Sequence, residues 1–250
     1  MDFPAETGTF FATKTLPCPY LKGQDERKLF TKLPADGAEK WANALSRAGF
    51  RRTHHLCYIP ACPACSACIS VRVDVKRLRL DRTQRKIMRR NADLSVSWRP
   101  NVATEEQYAL FSRYLAARHA GSEMNDMGQE EYRSMIEDSP VPGMLMEVRA
   151  AATDALKAVM LIDETDDGLS AVYSFFDPEE QKRSLGVFMI TTVCNRLILL
   201  NKPYLYLGYF IAGCSNMAYK SRFRPLEMFR KGKWVSFADQ MENDVPDVRL

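Results

Sequence analysis

The chain is 250 residues long, 46% hydrophobic and 26% charged, with a formal net charge of +4 at pH 7, which suits one large domain or two small ones and makes any basic character local. No run reaches the roughly 18 uninterrupted apolar residues of a membrane span, the nearest, Val187 to Leu200, being broken by Thr191, Thr192, Asn195 and Arg196. The first residues lack a charged start followed by a long apolar stretch, and the seven cysteines are an odd number, so a cytoplasmic protein with reduced thiols and no membrane partner is expected.

In chain order, Ala38, Trp41, Leu45 and Ala48 recur at helical spacing and Gly49 supplies the stop, so a helix is predicted there. Cys62, Cys65 and Cys68 follow, and with Cys18 or Cys57 as a fourth ligand they suit a tetrahedral zinc or iron-sulfur site. The spacing is not that of a zinc ribbon, which needs two separated pairs, and a turn of half-buried reduced thiols is the competing reading. Ile69, Val71, Val73 and Val75 then alternate with Ser70, Arg72, Asp74 and Lys76, predicting a strand with one core face and one charged face.

Arg77, Arg79, Arg82, Arg85, Lys86, Arg89 and Arg90 crowd the next stretch against only Asp74 and Asp81. This is either a solvated helix face or a phosphate-tracking surface. A second strand is expected at Leu94, Val96 and Trp98, and Arg99-Pro100-Asn101 breaks it. That break sets the expected boundary between a region 1–100, with the Cys cluster and basic helix, and a domain 101–250. Thr104 is the expected N-cap of a helix carrying Tyr108, Phe111 and Leu115.

Three strands are predicted at Met144 to Ala150, Leu156 to Asp163 and Leu169 to Phe176, with Asp166-Asp167-Gly168 as a hairpin turn. The last strand leads through Arg183-Ser184-Leu185-Gly186 into a helix with Val187, Ile190, Cys194, Leu197 and Ile198, then into a strand from Tyr204 to Tyr209. GCN5-related acetyltransferases use such a strand, Arg-x-x-Gly loop, helix and strand to hold a pyrophosphate at the helix N-terminus. The Gly or Ala that usually follows is missing at Val187 and Phe188, and no Walker-type loop is present.

A set of motifs then resembles one family, the arginyl-tRNA-protein transferases, on the side of its bacterial branch that transfers leucine. The motifs are Cys18-Pro19-Tyr20-Leu21, Gly49-Phe50-Arg51-Arg52, Tyr58-x-Pro60-x-Cys62-x-x-Cys65-x-x-Cys68, Arg72-Val73, Arg82-Thr83-Gln84-Arg85, Arg113-Tyr114 and Arg118-His119. Further on come Asp163, Gly168 through Pro178, Arg183-Ser184-Leu185-Gly186, Tyr206-Leu207-Gly208-Tyr209, Met217-Ala218-Tyr219-Lys220 and Pro225-x-Glu227. They span residues 18 to about 234 in the family's order. Thr83, Lys86 and Phe210 depart from it conservatively, and Cys57, His54 and His55 fall outside the pattern.

The resemblance implies an α+β chain: a C-terminal GCN5-related acyltransferase-like mixed sheet with flanking helices, and a smaller N-terminal α/β region bearing the Cys cluster. It implies transfer of leucine from leucyl-tRNA, or alternatively arginine from arginyl-tRNA, to proteins with N-terminal Asp or Glu, marking them for degradation. The aminoacyl ester is already activated, so no cofactor is required; the Cys cluster leaves a zinc or iron-sulfur group open. Asp163, Ser170, Tyr173, Asp177 and Tyr209 lie on or beside adjacent predicted strands and are the candidate catalytic residues, with Asp163 or Asp177 to take the amine proton. Arg72 and Arg183 are the candidates for the acceptor's carboxylate. Arg82, Arg85, Lys86, Arg89, Arg90, Arg183, Ser184, Gly186, Tyr219 and Lys220 are the candidates for tRNA, with Tyr206, Tyr209 and Tyr219 able to stack on its terminal base. His119 is a base, a helix cap or a tRNA contact. An acetyl coenzyme A enzyme and a non-catalytic RNA-binding module are the competing readings.

Overall fold

A computed structural model of the chain describes residues 8–118 and 126–238. His119 lies outside the described residues. The N-terminal part forms β1 (Phe10–Ala12), a two-stranded ribbon of β2 (Leu16–Pro17) and β3 (Asp25–Glu26), β4 (Lys28–Lys32), helix α1 (Ala38–Arg47), β5 (Arg51–Thr53) and β6 (Leu56–Pro60). Strands β1, β4, β6 and β5 make a small antiparallel sheet in that order. Trp41 and Leu45 on α1 pack with Leu33 and Cys57 into its own core. As the sequence predicts, α1 stops at Gly49, whose φ of 84° suits glycine.

The large sheet is built from β7 (Ile69–Asp74), β8 (Leu94–Arg99), β9 (Gly143–Ala150), β10 (Leu156–Thr165), β11 (Gly168–Phe176), β12 (Tyr204–Phe210), β13 (Leu226–Arg230) and β14 (Lys233–Ser236). Its order is β14-β13-β7-β12-β11-β10-β9-β8. Only β11 and β12 run parallel, which a right-handed crossover helix permits. That helix is α5 (Leu185–Leu199), and it packs beside α2 (Arg82–Arg90) on one face, where Phe188, Met189 and Val193 meet Val71, Val73 and Met160. On the other face, α3 (Glu105–Arg118) and α4 (Gln129–Glu137) bury Phe111 and Tyr132 against Leu161 and Phe175. The expected strand, loop, helix and strand unit of a GCN5-related acyltransferase is present, flanked by helices in an α+β fold. No helix among the described residues is long and apolar enough to cross a membrane.

Two expectations need correction. The boundary near residue 100 does not separate two sheets, because β7 sits between β12 and β13 and β8 closes the far edge of the same sheet. Nor does β7 present a charged face to water: as an inner strand it is covered on both sides, and Ser70 and Arg72 are buried along with Val71 and Val73. The bonds that join the small sheet to the large one are polar. Arg52 on β5 donates Nε and Nη2 to the two oxygens of Asp163 on β10, at 2.5 and 2.6 Å. The Ser70 hydroxyl donates to the Gly49 carbonyl, and Trp234 Nε1 donates to Arg47 O at 2.8 Å.

Candidate active site

Strands β11 and β12 pair only from Gly168 with Tyr204 to Ser170 with Tyr206, although they run on to Phe176 and Phe210. Beyond Ser170 they diverge, because β12 follows β7 through a bulge between Tyr206 and Gly208. The divergence strips carbonyls of β11 of their ladder partners, and such groups must be satisfied elsewhere. Arg51, which follows α1 and opens β5, does this: its Nη2 donates to Ala171 O at 3.0 Å and Val172 O at 2.8 Å. The close fit explains Gly208, whose φ is 73° and where a Cβ would stand 1.8 Å from Arg51 Nη1. Arg51 pairs with no carboxylate among the described residues, and its Nε and Nη1 hydrogens have no hydrogen-bond partner there.

Around this guanidinium stand Tyr209, Tyr219 and Lys220. Tyr209 donates its hydroxyl to Tyr58 O at 2.9 Å, and the two rings are tilted with centroids 6.0 Å apart. Lys220, on the 3₁₀ helix Ser215–Arg222, donates Nζ to the Tyr209 carbonyl at 2.6 Å. Burial of its amino group, then the nearby Arg51 charge, push Lys220 down to about 7, against a smaller opposing effect of Cys214. Burial pushes Tyr219 up to about 12, with Arg51 pulling the other way. Beside this centre an open hollow of about 690 Å³ is lined by Tyr20, Lys22, Ser66, Gly213 and Arg230 among others. Tyr20 links the two, having Tyr58, Cys68 and Arg51 as electrostatic neighbours.

Cys18, Cys62, Cys65 and Cys68 are free and half-buried. Cys68 is pushed up to about 11 by burial and then by Cys62, Cys18 and Cys65 in turn, so the other three thiols are its neighbours. Cys57 is buried in the core under α1, which leaves Cys18 as the fourth member. Among the described residues the thiols are not grouped as a ligand shell for a metal ion.

The sequence-predicted residues divide. Ser170 and Tyr209 are at the divergence, Ser170 lining a small niche with Arg51, Ser70 and Gly208. Tyr219 and Lys220 also lie there, both buried with Arg51 as a neighbouring charge. Asp163 does not serve as a proton acceptor, since Arg52 holds both its oxygens in the interior; burial raises its carboxyl and Arg52 opposes that. Asp177 is likewise engaged: despite its burial, the Lys157 bond at 3.0 Å and the Glu179 N–H keep it below the usual carboxylate range. Tyr173 packs against Phe111 and Phe175, and its buried hydroxyl has no hydrogen-bond partner among the described residues.

Neither proposed carboxylate reader is available. Arg72 Nε donates to Glu227 at 2.7 Å, its Nη1 to the Tyr206 hydroxyl, and its guanidinium lies 3.5 Å from the Tyr204 ring centre and 4.4 Å from that of Trp234. Arg183 forks onto Asp93 with two bonds of 2.8 Å and also holds Glu180. It therefore closes the α2 end rather than facing the start of α5, where Ser184 and half-buried Gly186 lie. On α2, opened by an Asp81–Gln84 capping box, Arg82, Arg85, Lys86, Arg89 and Arg90 are all exposed and pair with no carboxylate among the described residues. The motif Gly49-Phe50-Arg51-Arg52 does not by itself single out Arg51, whose place is set by the non-local divergence of β11 and β12.

Comparison with known proteins agrees with this geometry. The model for the N terminus of arginine-tRNA-protein transferase matches residues 16–86, and the model for its C terminus matches residues 106–230. The aspartate/glutamate leucyltransferase of Gluconacetobacter diazotrophicus is 48% identical, over 93% of this chain and 89% of its own. Those of Paramagnetospirillum magneticum and Ruegeria pomeroyi are 47% and 46% identical, over 92% and 94% of this chain and 93% and 86% of theirs. Among solved structures, the C-terminal domain of a putative lysylphosphatidylglycerol synthetase from Agrobacterium fabrum shares the fold, with a TM-score of 0.51 and 15% identity over 77% of this chain and 61% of that one.

Proposed function

The chain belongs to the arginine-tRNA-protein transferase family and is an aminoacyltransferase, and on that premise we propose that it transfers leucine from leucyl-tRNA to the N-terminal amine of proteins beginning with Asp or Glu. The observation that carries the reading is the unpaired Arg51 guanidinium in the gap between β11 and β12. The activated ester supplies the driving force, so the protein's work is to align amine and carbonyl, exclude water and stabilise charge. An acidic first residue needs a cation that is not already neutralised. Arg72 and Arg183 are paired, whereas Arg51 offers free Nε and Nη1 donors beside the gap, so it takes the acceptor's carboxylate.

The tyrosine pair Tyr58 and Tyr209 offers ring faces for the terminal base of the tRNA. Lys22 and Arg230 at the hollow, and the exposed arginines of α2, suit its phosphates. A leucine donor fits better than arginine for a specific reason. An arginyl side chain needs a free acid, and Asp163, Asp177 and Glu227 near these strands are all held by basic partners.

The test mixes the protein with peptides beginning in Asp, Glu, Lys or Ala and with leucyl-tRNA or arginyl-tRNA, and reads peptide mass. Leucine is expected on the Asp and Glu peptides alone. Arg51→Ala is expected to lower transfer to these peptides by about 100-fold, the cost of roughly 3 kcal/mol for one lost charged contact. Addition of arginine in place of leucine overturns the donor, and an unchanged acid preference in Arg51→Ala overturns the acceptor site.

A further inference from the structure

Aminolysis of an ester requires the attacking amine to lose a proton and the leaving ribose oxygen to gain one, and the group that carries it must sit at the reaction centre. The two aspartates that the sequence offers are excluded by their bonds to Arg52 and Lys157. Lys220 has the opposite situation. Its helix packs against β12, its Nζ lies against the Tyr209 carbonyl, and it pairs with no carboxylate among the described residues. The groups near it are Arg51 from β5, Cys214 from the turn after β12 and the Tyr209 carbonyl from β12. Burial and the Arg51 charge disfavour an ammonium there, and only a smaller effect of Cys214 favours one.

We propose that Lys220 is the acid–base catalyst of the transfer, accepting the proton from the acceptor's α-amine and handing it to the ribose oxygen; this rests on the aminoacyl-transfer reading above. The amine lone pair attacks the ester carbonyl carbon, and its N–H proton moves to the neutral Nζ. The carbon–oxygen bond to the ribose then breaks, and that oxygen takes the proton back from Nζ. The products are the new amide, a tRNA with a free ribose hydroxyl, and neutral Lys220 ready for the next cycle. The Tyr209 carbonyl accepts an Nζ hydrogen in either protonation state, so the nitrogen stays in place while the proton comes and goes. With its value near 7, both forms are populated at neutral pH, where a proton carrier works best.

The experiment measures single-turnover leucine transfer at saturating acceptor peptide between about pH 5 and pH 9, a span that brackets the expected inflection. It compares wild type, Lys220→Arg and Lys220→Met, with leucyl-tRNA binding measured in parallel. Only the neutral lysine accepts a proton, so the wild-type rate is expected to rise with pH through an inflection near 7 and then level. Both variants are expected to lose about 100-fold or more in rate, to lose the inflection, and to bind leucyl-tRNA within about two-fold of wild type, the scatter of such a measurement.

The acceptor's own amine titrates at about 7.7–8.0, so the series is repeated with a peptide of lower amine value. An inflection that follows the peptide, or transfer that persists in Lys220→Met, overturns Lys220 and leaves the enzyme's activity standing. Loss of leucyl-tRNA binding together with transfer in both variants also overturns it, since that is a structural role. Should either variant fail to fold, the wild-type profile with the two peptides still decides. Absence of transfer by wild type with any aminoacyl-tRNA fails the functional reading instead.

Discussion

At the scale of single residues, Lys220 links function to stability. Its folded value of about 7 lies below the ordinary lysine value of 10.5, so between these two the unfolded chain binds more protons than the folded one. Stability from this group therefore rises with pH across that window, and burying Lys220 is costly at and below neutral pH. Lys220→Met is expected to stabilise the protein by about 3 kcal/mol near neutral pH, less than the full shift because the stem is half-exposed. The gain should shrink toward alkaline pH, which urea denaturation at about pH 7 and pH 9, within the titration window, measures. An equal gain at both values would mean that Lys220 titrates as an exposed lysine. The same scale shows what sequence reading reaches. The family motifs put Lys220, Tyr209 and Ser170 among the candidates, but partners are not local: Arg72 and Glu227 are 155 positions apart and Arg183 and Asp93 are 90 apart, and no local pattern reports such pairs.

At the scale of elements, the regular patterns were legible and the short ones were not. Alternation marked β7 and β8, strand runs between polar turns marked β9, β10 and β11, and helical spacing marked α1, α3 and α5, because each has enough residues to display a pattern. The strands of the small sheet are 3 to 5 residues long, and the cues for α4 and the β13–β14 hairpin are slight: Glu131 accepting from the Gly128 N–H, and Lys231-Gly232 at the turn. Helix α2 was legible as basic and its buried face was not: Gln84 and Ile87 face inward, with Gln84 Nε2 donating to Arg222 O at 3.2 Å. That anchoring fixes the outward direction of Arg85 and Arg89. Replacing both with Ala should weaken tRNA binding and make log K against log salt shallower by about 1 to 2, as two phosphate contacts are lost. Peptide KM should not change. A filter-binding series over salt concentration checks this, and an unaltered slope would remove α2 from the tRNA surface.

At the scale of the whole molecule, the reaction centre exists only because two sheets meet. Arg51 and Tyr58 come from the small sheet, Tyr209 and Ser170 from the large one, and Lys220 from the helix after β12. Holding these groups in register is the work of the Arg52–Asp163 ion pair, both of whose side chains are under one-tenth exposed. Asp163 was expected to be catalytic, and its place in the fold assigns it this joining role, with a distinguishable consequence. Asp163→Asn keeps the side chain's shape but leaves the Arg52 cation buried without its counter-charge, a loss worth about 3–5 kcal/mol. The variant should unfold at markedly lower urea concentration, while the folded fraction transfers leucine at a near-normal rate. Pairing it with Arg52→Met removes the stranded charge and should recover part of the stability, because only a neutral amide is then left buried without its partner. A variant that is as stable as wild type yet inactive would return Asp163 to the chemistry. The double variant separates these outcomes, since a lost proton acceptor is not restored by removing Arg52, whereas a lost counter-charge is.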